Sequence, residues 1–264
     1  MNPKHSDAAP GTLYLVPTPL DHGCDSPSPL PDVLPLGTIQ VAASLSHWIS
    51  ENAKSTRAFL KRVAAELPLA QPMQAQQIVE LPRLVHKKGD HVGGAPGFDA
   101  RPLLAPALQG HNVGLVSEAG MPAVADPGSS VARAAHELGV AVVPLVGPVS
   151  LLLALAASGL NGQRFAFAGY LPQDEAQRAR ELKQLEARAL GSGETQLFIE
   201  TPYRNAALMR SLLTSLRPGT RVCVCSAVTL PQARVLSQTV AQWRACPSDA
   251  GDDLKLPTVY AIGV

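Results

Sequence analysis

The sequence predicts an α/β protein built from two α/β domains, and three observations support this fold class. Short apolar runs typical of strands alternate along the chain with helical patterns, which indicates packed layers of strands and helices. The 264 residues are 46% hydrophobic and 16% charged, a composition that suits sizeable buried cores. The pattern of apolar residues along the chain changes at Gly147-Pro148. We therefore expect a disordered arm at residues 1–11, an N-terminal parallel-sheet domain at 12–147 and a C-terminal α/β domain at 148–264.

In the N-terminal domain, the apolar runs that predict strands cover residues 12–16, 39–43, 114–116 and 140–146. Periodic apolar positions predict helices over residues 54–67, 101–109 and 127–138. Asp126 is the expected N-cap of the third helix, with Pro127 at its first position, and Gly139 ends it. Six prolines in residues 17–36 predict a rigid loop, and residues 87–97 predict a glycine-rich mobile loop.

In the C-terminal domain, the predicted strands cover residues 165–169, 196–199, 221–226 and 258–264. The predicted helices cover residues 150–158, 176–190 and 206–216. Residues 235–243 begin as a strand and end as the start of a helix. The run 150–158 is almost wholly apolar, so we expect this helix to be buried.

The charge balance and the cysteines exclude several classes of protein. The net charge is +1 and aromatic residues make up 4% of the chain, which disfavours a strongly basic nucleic-acid binder and a base-stacking platform. The four cysteines fit neither a metal ribbon nor a secreted disulfide framework; they are Cys24, Cys223, Cys225 and Cys246. The pair at 223 and 225 lies in an apolar run and indicates a buried strand.

Membrane and metal partners are not expected. Residues 1–10 are polar and lack the apolar core of a signal peptide, and no apolar run reaches the roughly 18 residues of a membrane span. The predicted location is therefore cytoplasmic. His86, Asp90 and His91 could be drawn as metal ligands, but histidines in a glycine-rich loop are more often solvated, and we expect no metal.

Two loops of small residues predict a ligand site. Residues 117–122 follow one apolar strand, and Gly147-Pro148 follows the next. Parallel strands end at the same edge of a sheet, where α/β proteins bind ligands, and small side chains leave the backbone to hold the ligand. The chain contains no G-x-G-x-x-G after a strand, no P-loop, no H-E-x-x-H and no G-x-S-x-G. The expected ligand is therefore nucleotide-like and held without a standard phosphate cradle.

Five segments of the chain carry a family resemblance. They are G-T-L-Y-L-V-P-T-P-L (11–20), V-S-E-A-G-M-P-A-V-A-D-P-G (116–128), V-P-L-V-G-P-V-S (143–150), F-A-F-A-G-Y-L-P (165–172) and F-I-E-T-P-Y-R (198–204). Together they resemble the tetrapyrrole methylase superfamily, and most closely the branch that methylates a ribose 2′-hydroxyl in 16S ribosomal RNA. The resemblance implies S-adenosylmethionine as cofactor, a homodimer, and a cleft between the two domains for cofactor and acceptor.

The resemblance also assigns roles to single residues. The implied cofactor-binding residues are Pro17, Gly120, Met121, Pro122, Val124, Ser150, Leu151 and Ala227. The implied acceptor-binding residues are Arg57, Tyr203 and Arg204. Glu118 and Glu200 are the candidate catalytic carboxylates, because a hydroxyl acceptor has a proton to lose. Two alternatives stay open: Glu118 stabilises its own loop as a hydrogen-bond acceptor, and Glu200 pairs with Arg204.

The cofactor motifs match the branch better than the acceptor motifs do. Glu118 and Met121 stand where the branch usually carries Asp and Thr, and Tyr203 stands where it carries His. The expected function is an S-adenosylmethionine-dependent methyltransferase acting on RNA, with ribosomal RNA or the small ribosomal subunit as partner. The alternatives are a methyltransferase of a tetrapyrrole or another small molecule, and a cofactor-binding protein without catalysis.

Overall fold

The computed structural model describes residues 9–21, 23–24, 26–82, 85, 98–246 and 255–264. The chain divides into two compact units, Met1–Val149 and Ser150–Val264. In the described residues, each unit contains a five-stranded sheet with helices between its strands. The predicted α/β class is therefore confirmed. Most of the predicted arm at 1–11 and the loop at 87–97 lie outside the described residues, as do His86, Asp90 and His91.

The sheet of the first unit is parallel throughout. Its strands are β1 (Thr12–Leu15), β2 (His47–Ser50), β3 (Gln77–Glu80), β4 (Val113–Val116) and β5 (Ala141–Pro144). They lie side by side in the order β3-β2-β4-β1-β5. In the β1 register, Leu13 is opposite Val113 on one side and Val142 on the other. All four residues of β4 are buried, as expected for a parallel strand covered on both faces.

Helices cover both faces of this sheet. They are α1 (Leu30–Val33), α2 (Leu36–Ser44), α3 (Ala53–Glu66), α4 (Ala105–Leu108) and α5 (Ser129–Glu137). One apolar core joins α2 and α3 to Trp48, and a second joins α5 to Leu115. The helix α3 begins where it does because the Asn52 side chain accepts hydrogen bonds from the Lys54 and Ser55 N–H groups.

The structure corrects the predictions for the first unit in several places. Helix α1 (Leu30–Val33) lies within residues 17–36, which the prolines predict to be a loop. Residues 39–43 lie in α2 and not in a strand, because Ile39, Ala42 and Ala43 are buried at helical spacing. Strands β2 and β3 were missed, since each has four residues and too little pattern to detect. Gly128, not Asp126, occupies the N-cap of α5. Its φ of 133° is an angle that residues with a side chain rarely adopt, and it delays the helix to Ser129.

The sheet of the second unit is mixed. Its strands are β6 (Phe165–Tyr170), β7 (Thr195–Glu200), β8 (Arg221–Ser226), β9 (Arg234–Thr239) and β10 (Thr258–Gly263), in the order β6-β7-β10-β8-β9. Strands β6 and β7 are parallel, and the other neighbours are antiparallel. The helices are α6 (Ser150–Ala157), α7 (Glu175–Ser192), α8 (Asn205–Ser215) and α9 (Val240–Ala245). Their apolar sides and the sheet enclose a core around Phe198, Trp243 and Tyr260.

Two details of the second unit bear on the predictions. Cys223 and Cys225 are buried in β8, as predicted. The helix α6 is buried at Leu151, Ala154 and Leu155, but Leu152 is 50% exposed, so only one side of the helix is covered. Among the described residues, no helix combines the length and the apolar character that crossing a membrane requires.

Candidate functional site

The loops that follow β1 and β4 are joined at the carboxyl edge of the first sheet. The Thr18 N–H donates to the Gly120 carbonyl at 2.9 Å, and the Gly120 N–H donates to the Thr18 carbonyl at 3.0 Å. The Thr18 hydroxyl donates to the Ser117 carbonyl at 3.4 Å. These bonds bring Pro17 and Gly120, both predicted to contact the cofactor, into adjacent segments.

The loop after β5 packs against the same segments. A Cβ atom built on Gly147 would lie 2.3 Å from the Cγ of Pro17, so a larger residue has no room there. The Thr38 hydroxyl donates to the Val146 carbonyl at 2.7 Å, which ties this loop to α2. The loops after three neighbouring strands therefore meet at the edge where parallel sheets bind ligands.

Backbone strain is concentrated in two loops. In the first unit, Ala123 and Ala125 have φ angles of 66° and 63°, on either side of the exposed Val124. In the second unit, Ala227 and Thr229 have φ angles of 53° and 72° in the loop after β8. Such angles cost non-glycine residues about 1–3 kcal/mol and cluster at functional sites. Within the described ranges, these four are the non-glycine residues with positive φ, and both loops are those that the resemblance assigns to the cofactor.

The other predicted cofactor residues lie in ordered positions. Pro122 is buried, and the carbonyl of the half-buried Met121 accepts a hydrogen bond from the Val124 N–H at 3.3 Å. Ser150 begins α6 and Leu151 is buried in it. These residues are therefore held by local structure, each in its own unit.

Three carboxylates lie together beyond the ends of β2 and β4. The Glu118 N–H donates to the Glu51 carboxylate at 3.1 Å. The pKa of the Asp126 carboxyl is raised to about 7, first by burial and then by the charges of Glu51 and Glu118, while a hydrogen bond with Ser117 acts in the opposite direction. The predicted catalytic residue Glu118 thus belongs to an acidic group whose members influence one another.

Glu200 is engaged with its own turn. Its carboxylate accepts from the Arg204 Nε at 2.8 Å and from the Thr201 N–H at 2.7 Å, and the Arg204 Nη2 lies 2.6 Å away. Glu200 is buried at the end of β7. The structure therefore contains the ion pair with Arg204 that sequence analysis left open as an alternative.

Of the predicted acceptor residues, Tyr203 and Arg57 are exposed, whereas the Arg204 side chain is 21% exposed and is paired with Glu200. Tyr203 is 82% exposed, and the Arg204 Cζ lies 5.9 Å from the centre of its ring. Arg57 is exposed on α3, where it donates to the Ala53 carbonyl at 3.4 Å. Farther along α3, Arg62 is paired with the Asp21 carboxylate at 3.0 Å, which partly neutralises its charge.

Two titratable groups with raised pKa values, one beside the acidic loops and one in β10, have no signal in the sequence. The sequence around Asp126 predicts a helix cap, and Glu51 lies 75 positions away in the sequence, so no local pattern reveals the acidic group. Tyr260 is buried in β10, and burial, followed by the charge of Glu200, raises the pKa of its hydroxyl. In the described part of the chain, no three His, Cys, Asp or Glu residues are grouped as a metal site would require.

Comparison with known sequences identifies relatives over most of the chain. The family model for tetrapyrrole (corrin/porphyrin) methylases matches residues 51–243. Proteins named ribosomal RNA small subunit methyltransferase I are also similar. The Escherichia coli O157:H7 protein is 30% identical over 203 residues, which cover 76% of this chain and 59% of that protein. The Pseudomonas aeruginosa protein is 29% identical over 240 residues, which cover 90% of this chain and 70% of that protein.

A third relative of the same name, from Mesorhizobium japonicum, is 32% identical over 205 residues, which cover 77% of this chain and 59% of that protein. The chain therefore spans about 60% of the length of the Escherichia coli and Mesorhizobium relatives.

Comparison with solved structures identifies the fold. Uroporphyrin-III-C-methyltransferase from Thermus thermophilus superposes with a TM-score of 0.52 at 19% identity, covering 96% of this chain and 94% of that one. The methyltransferase CobJ superposes with a TM-score of 0.54 at 18% identity and the same coverage. The predicted fold class, two α/β domains of this type, is confirmed.

Proposed function

We propose that this chain, which belongs to the tetrapyrrole (corrin/porphyrin) methylase family, transfers a methyl group from S-adenosylmethionine to a ribose 2′-hydroxyl of ribosomal RNA. The observation that carries the cofactor assignment is the strained backbone at Ala123, Ala125 and Ala227, in loops that match the cofactor motifs. The name shared by the similar bacterial proteins supports an RNA acceptor.

The loops suit a ligand bound against a fixed backbone. Positive φ at Ala123 and Ala125 shapes the first loop, and the Ala123 and Val124 N–H groups hold that shape by donating to the Pro127 and Met121 carbonyls at 3.3 Å each. In the first unit Pro17, Gly120, Met121, Pro122 and Val124 would contact the cofactor, and in the second unit Ser150, Leu151 and Ala227.

The bound cofactor would supply a methyl group on a sulfonium centre. The leaving sulfide needs no proton, so the chain mainly aligns the acceptor hydroxyl. That hydroxyl must lose its proton, and a positioned base contributes roughly 10²–10⁴-fold. We assign this role to Glu118, with Glu200 as the second candidate. Arg57, Tyr203 and Arg204 would bind the acceptor.

A homodimer in the cytoplasm is part of the proposal. Strand β6 is at one edge of the second sheet, and Phe165, Phe167 and Tyr170 on it are exposed. A second copy of the chain would cover this apolar side of an edge strand.

Transfer of a labelled methyl group tests the function. Small ribosomal subunits from cells that lack this protein are incubated with the chain and labelled S-adenosylmethionine, and calorimetry measures cofactor binding. We expect label in 16S ribosomal RNA and a Kd in the micromolar range (about 1–100 μM). The E118Q variant should bind the cofactor like the wild type and lose roughly 10²-fold in rate. No cofactor binding at millimolar concentration contradicts the assignment, and binding without transfer favours a non-catalytic protein.

A further inference from the structure

A cavity of ≈ 510 Å³ lies within the first unit, beyond the carboxyl ends of three neighbouring strands. Thr18 on its wall follows β1, Asn52 follows β2 and Glu118 follows β4. Ligands of parallel sheets bind at this edge, and the volume is within the range of about 300–1,000 Å³ that small-molecule sites occupy.

A second cavity, of ≈ 590 Å³, is at the opposite edge of the same sheet. Its wall includes His47, Gln77 and Val113, the first residues of β2, β3 and β4. The amino ends of parallel strands rarely bind ligands in α/β sheets. The cavity beside Glu118 is therefore the better candidate for an acceptor.

The chemistry of the wall suits one nucleotide. The exposed Pro27 offers apolar surface to a planar base, beside the edges of the buried Pro19 and Phe59, and Glu118 can accept a proton from a hydroxyl. The Asn52 side chain occupies the first N–H groups of α3, so the helix end does not supply an anion site. Lys54, on the wall, can pair with a phosphate.

The charge of the wall argues against a tetrapyrrole. Such a macrocycle carries several carboxylates and needs several cations. The described wall offers Lys54 and Arg62, and Arg62 already binds the Asp21 carboxylate at 3.0 Å and the Ser28 carbonyl at 2.7 Å. A single nucleotide carries one phosphate, which Lys54 can neutralise.

We propose that this cavity receives a single unstacked nucleotide of the acceptor RNA, with its ribose toward Glu118 and a phosphate at Lys54. The assignment rests on the proposed methyl transfer to RNA. Proteins read RNA chiefly where bases are splayed out of the stack, and enzymes that modify one nucleotide extrude it into a pocket. Contacts with the proline and phenylalanine wall offset the few kcal/mol that unstacking costs.

A filling substitution tests the assignment. A58W places a large ring in the cavity from an exposed wall position on α3, and A65W adds the same ring to the same helix away from the cavity. We expect A58W to lower methyl transfer to small ribosomal subunits at least tenfold, which is about 1.4 kcal/mol. Cofactor affinity and thermal melting should match the wild type in both variants, and A65W should keep its transfer rate.

If A58W does not fold, a second variant tests the assignment of the cavity. K54Q should weaken binding of a 16S ribosomal RNA fragment and reduce the slope of log K against log salt by about 0.7, the single-strand value for one phosphate. The assignment of the cavity alone is overturned if the wild type is active and A58W transfers methyl groups at the wild-type rate. It is also overturned if the wild type is active and the salt dependence of RNA binding is the same for K54Q as for the wild type. No transfer by the wild type overturns the proposed function and the assignment with it.

Discussion

Asp126 combines burial with two like charges. Its carboxyl has a pKa raised to about 7, because burial and then Glu51 and Glu118 disfavour the ionised form. In the unfolded chain an aspartate has a pKa of about 3.9. The proton is therefore bound more tightly by the folded protein, and the stability that it contributes is complete below about pH 4 and is lost as the pH rises through about 7.

The first prediction follows from the direction of this pH dependence of stability. D126N cannot ionise, so it should be more stable than the wild type at pH 8, by up to about 4 kcal/mol, and the difference should vanish near pH 4. Urea unfolding at several pH values measures it. D32N, at an exposed carboxylate on α1, is the control and should change little. A D126N protein that is less stable at pH 8 contradicts the assigned cause.

The positive φ of Ala125 gives the second prediction. A125G removes the clash of a Cβ in that conformation and should raise the free energy of unfolding by about 1 kcal/mol. If the strained loop holds the cofactor, the looser glycine should weaken S-adenosylmethionine binding about fivefold. Chemical denaturation and calorimetry measure the two effects. A65G, inside α3, should instead destabilise the protein by about 1 kcal/mol without changing affinity.

At the scale of elements, β8 carries two thiols with no access to solvent. Burial is the first cause that raises the pKa of Cys223 to about 12 and that of Cys225 to about 11. The thiolate is the reactive form. Both residues should therefore resist alkylation by iodoacetamide at pH 8 while the exposed Cys246 reacts, as mass spectrometry of digested native protein would show. Labelling of all three at equal rates would contradict the buried position of β8; denatured protein is the positive control.

Element length decided how much of the fold could be predicted. The strands β6 to β10 have six residues each. The sequence predicts four of them to within one residue at each end, and it places the start of β9 at residue 235, one residue late. In the first unit β2 and β3 have four residues, below the length at which alternation is visible. The run at 39–43 contains β-branched residues and was predicted as a strand, but burial at helical spacing placed it in α2.

One part of the candidate site has a local motif in the sequence and could be predicted, and the other part has none. The segment around Gly120 has a local motif, and Thr18 and Gly120 are joined there in the structure. The cavity beside Glu118 has no such signal, because its wall collects residues from 18–27, 52–62 and 118. Only the parallel order of β2, β4 and β1 brings these segments together.

At the scale of the whole molecule, the exposed edge of the second sheet predicts self-association. The wild type should elute as a dimer in size-exclusion chromatography with light scattering, and F165E on β6 should shift it to a monomer, because a charge in an apolar interface is costly. V235E, on β9 at the other edge of the same sheet, is the matched control and should stay dimeric. A dimeric F165E would place the interface elsewhere.

The position of β1 inside its sheet has a consequence for how the protein is made. Thr12 pairs with Ala141, and Leu13 pairs with Val113. During synthesis the first strand therefore waits for both partners, roughly 6–26 s at translation speeds of about 5–20 residues per second. Until then its apolar residues lack their partners in the sheet and are exposed to other nascent chains. The sheet of the first unit is thus completed only after Pro144, the last residue of β5, has been made, although β1 is the first strand to leave the ribosome.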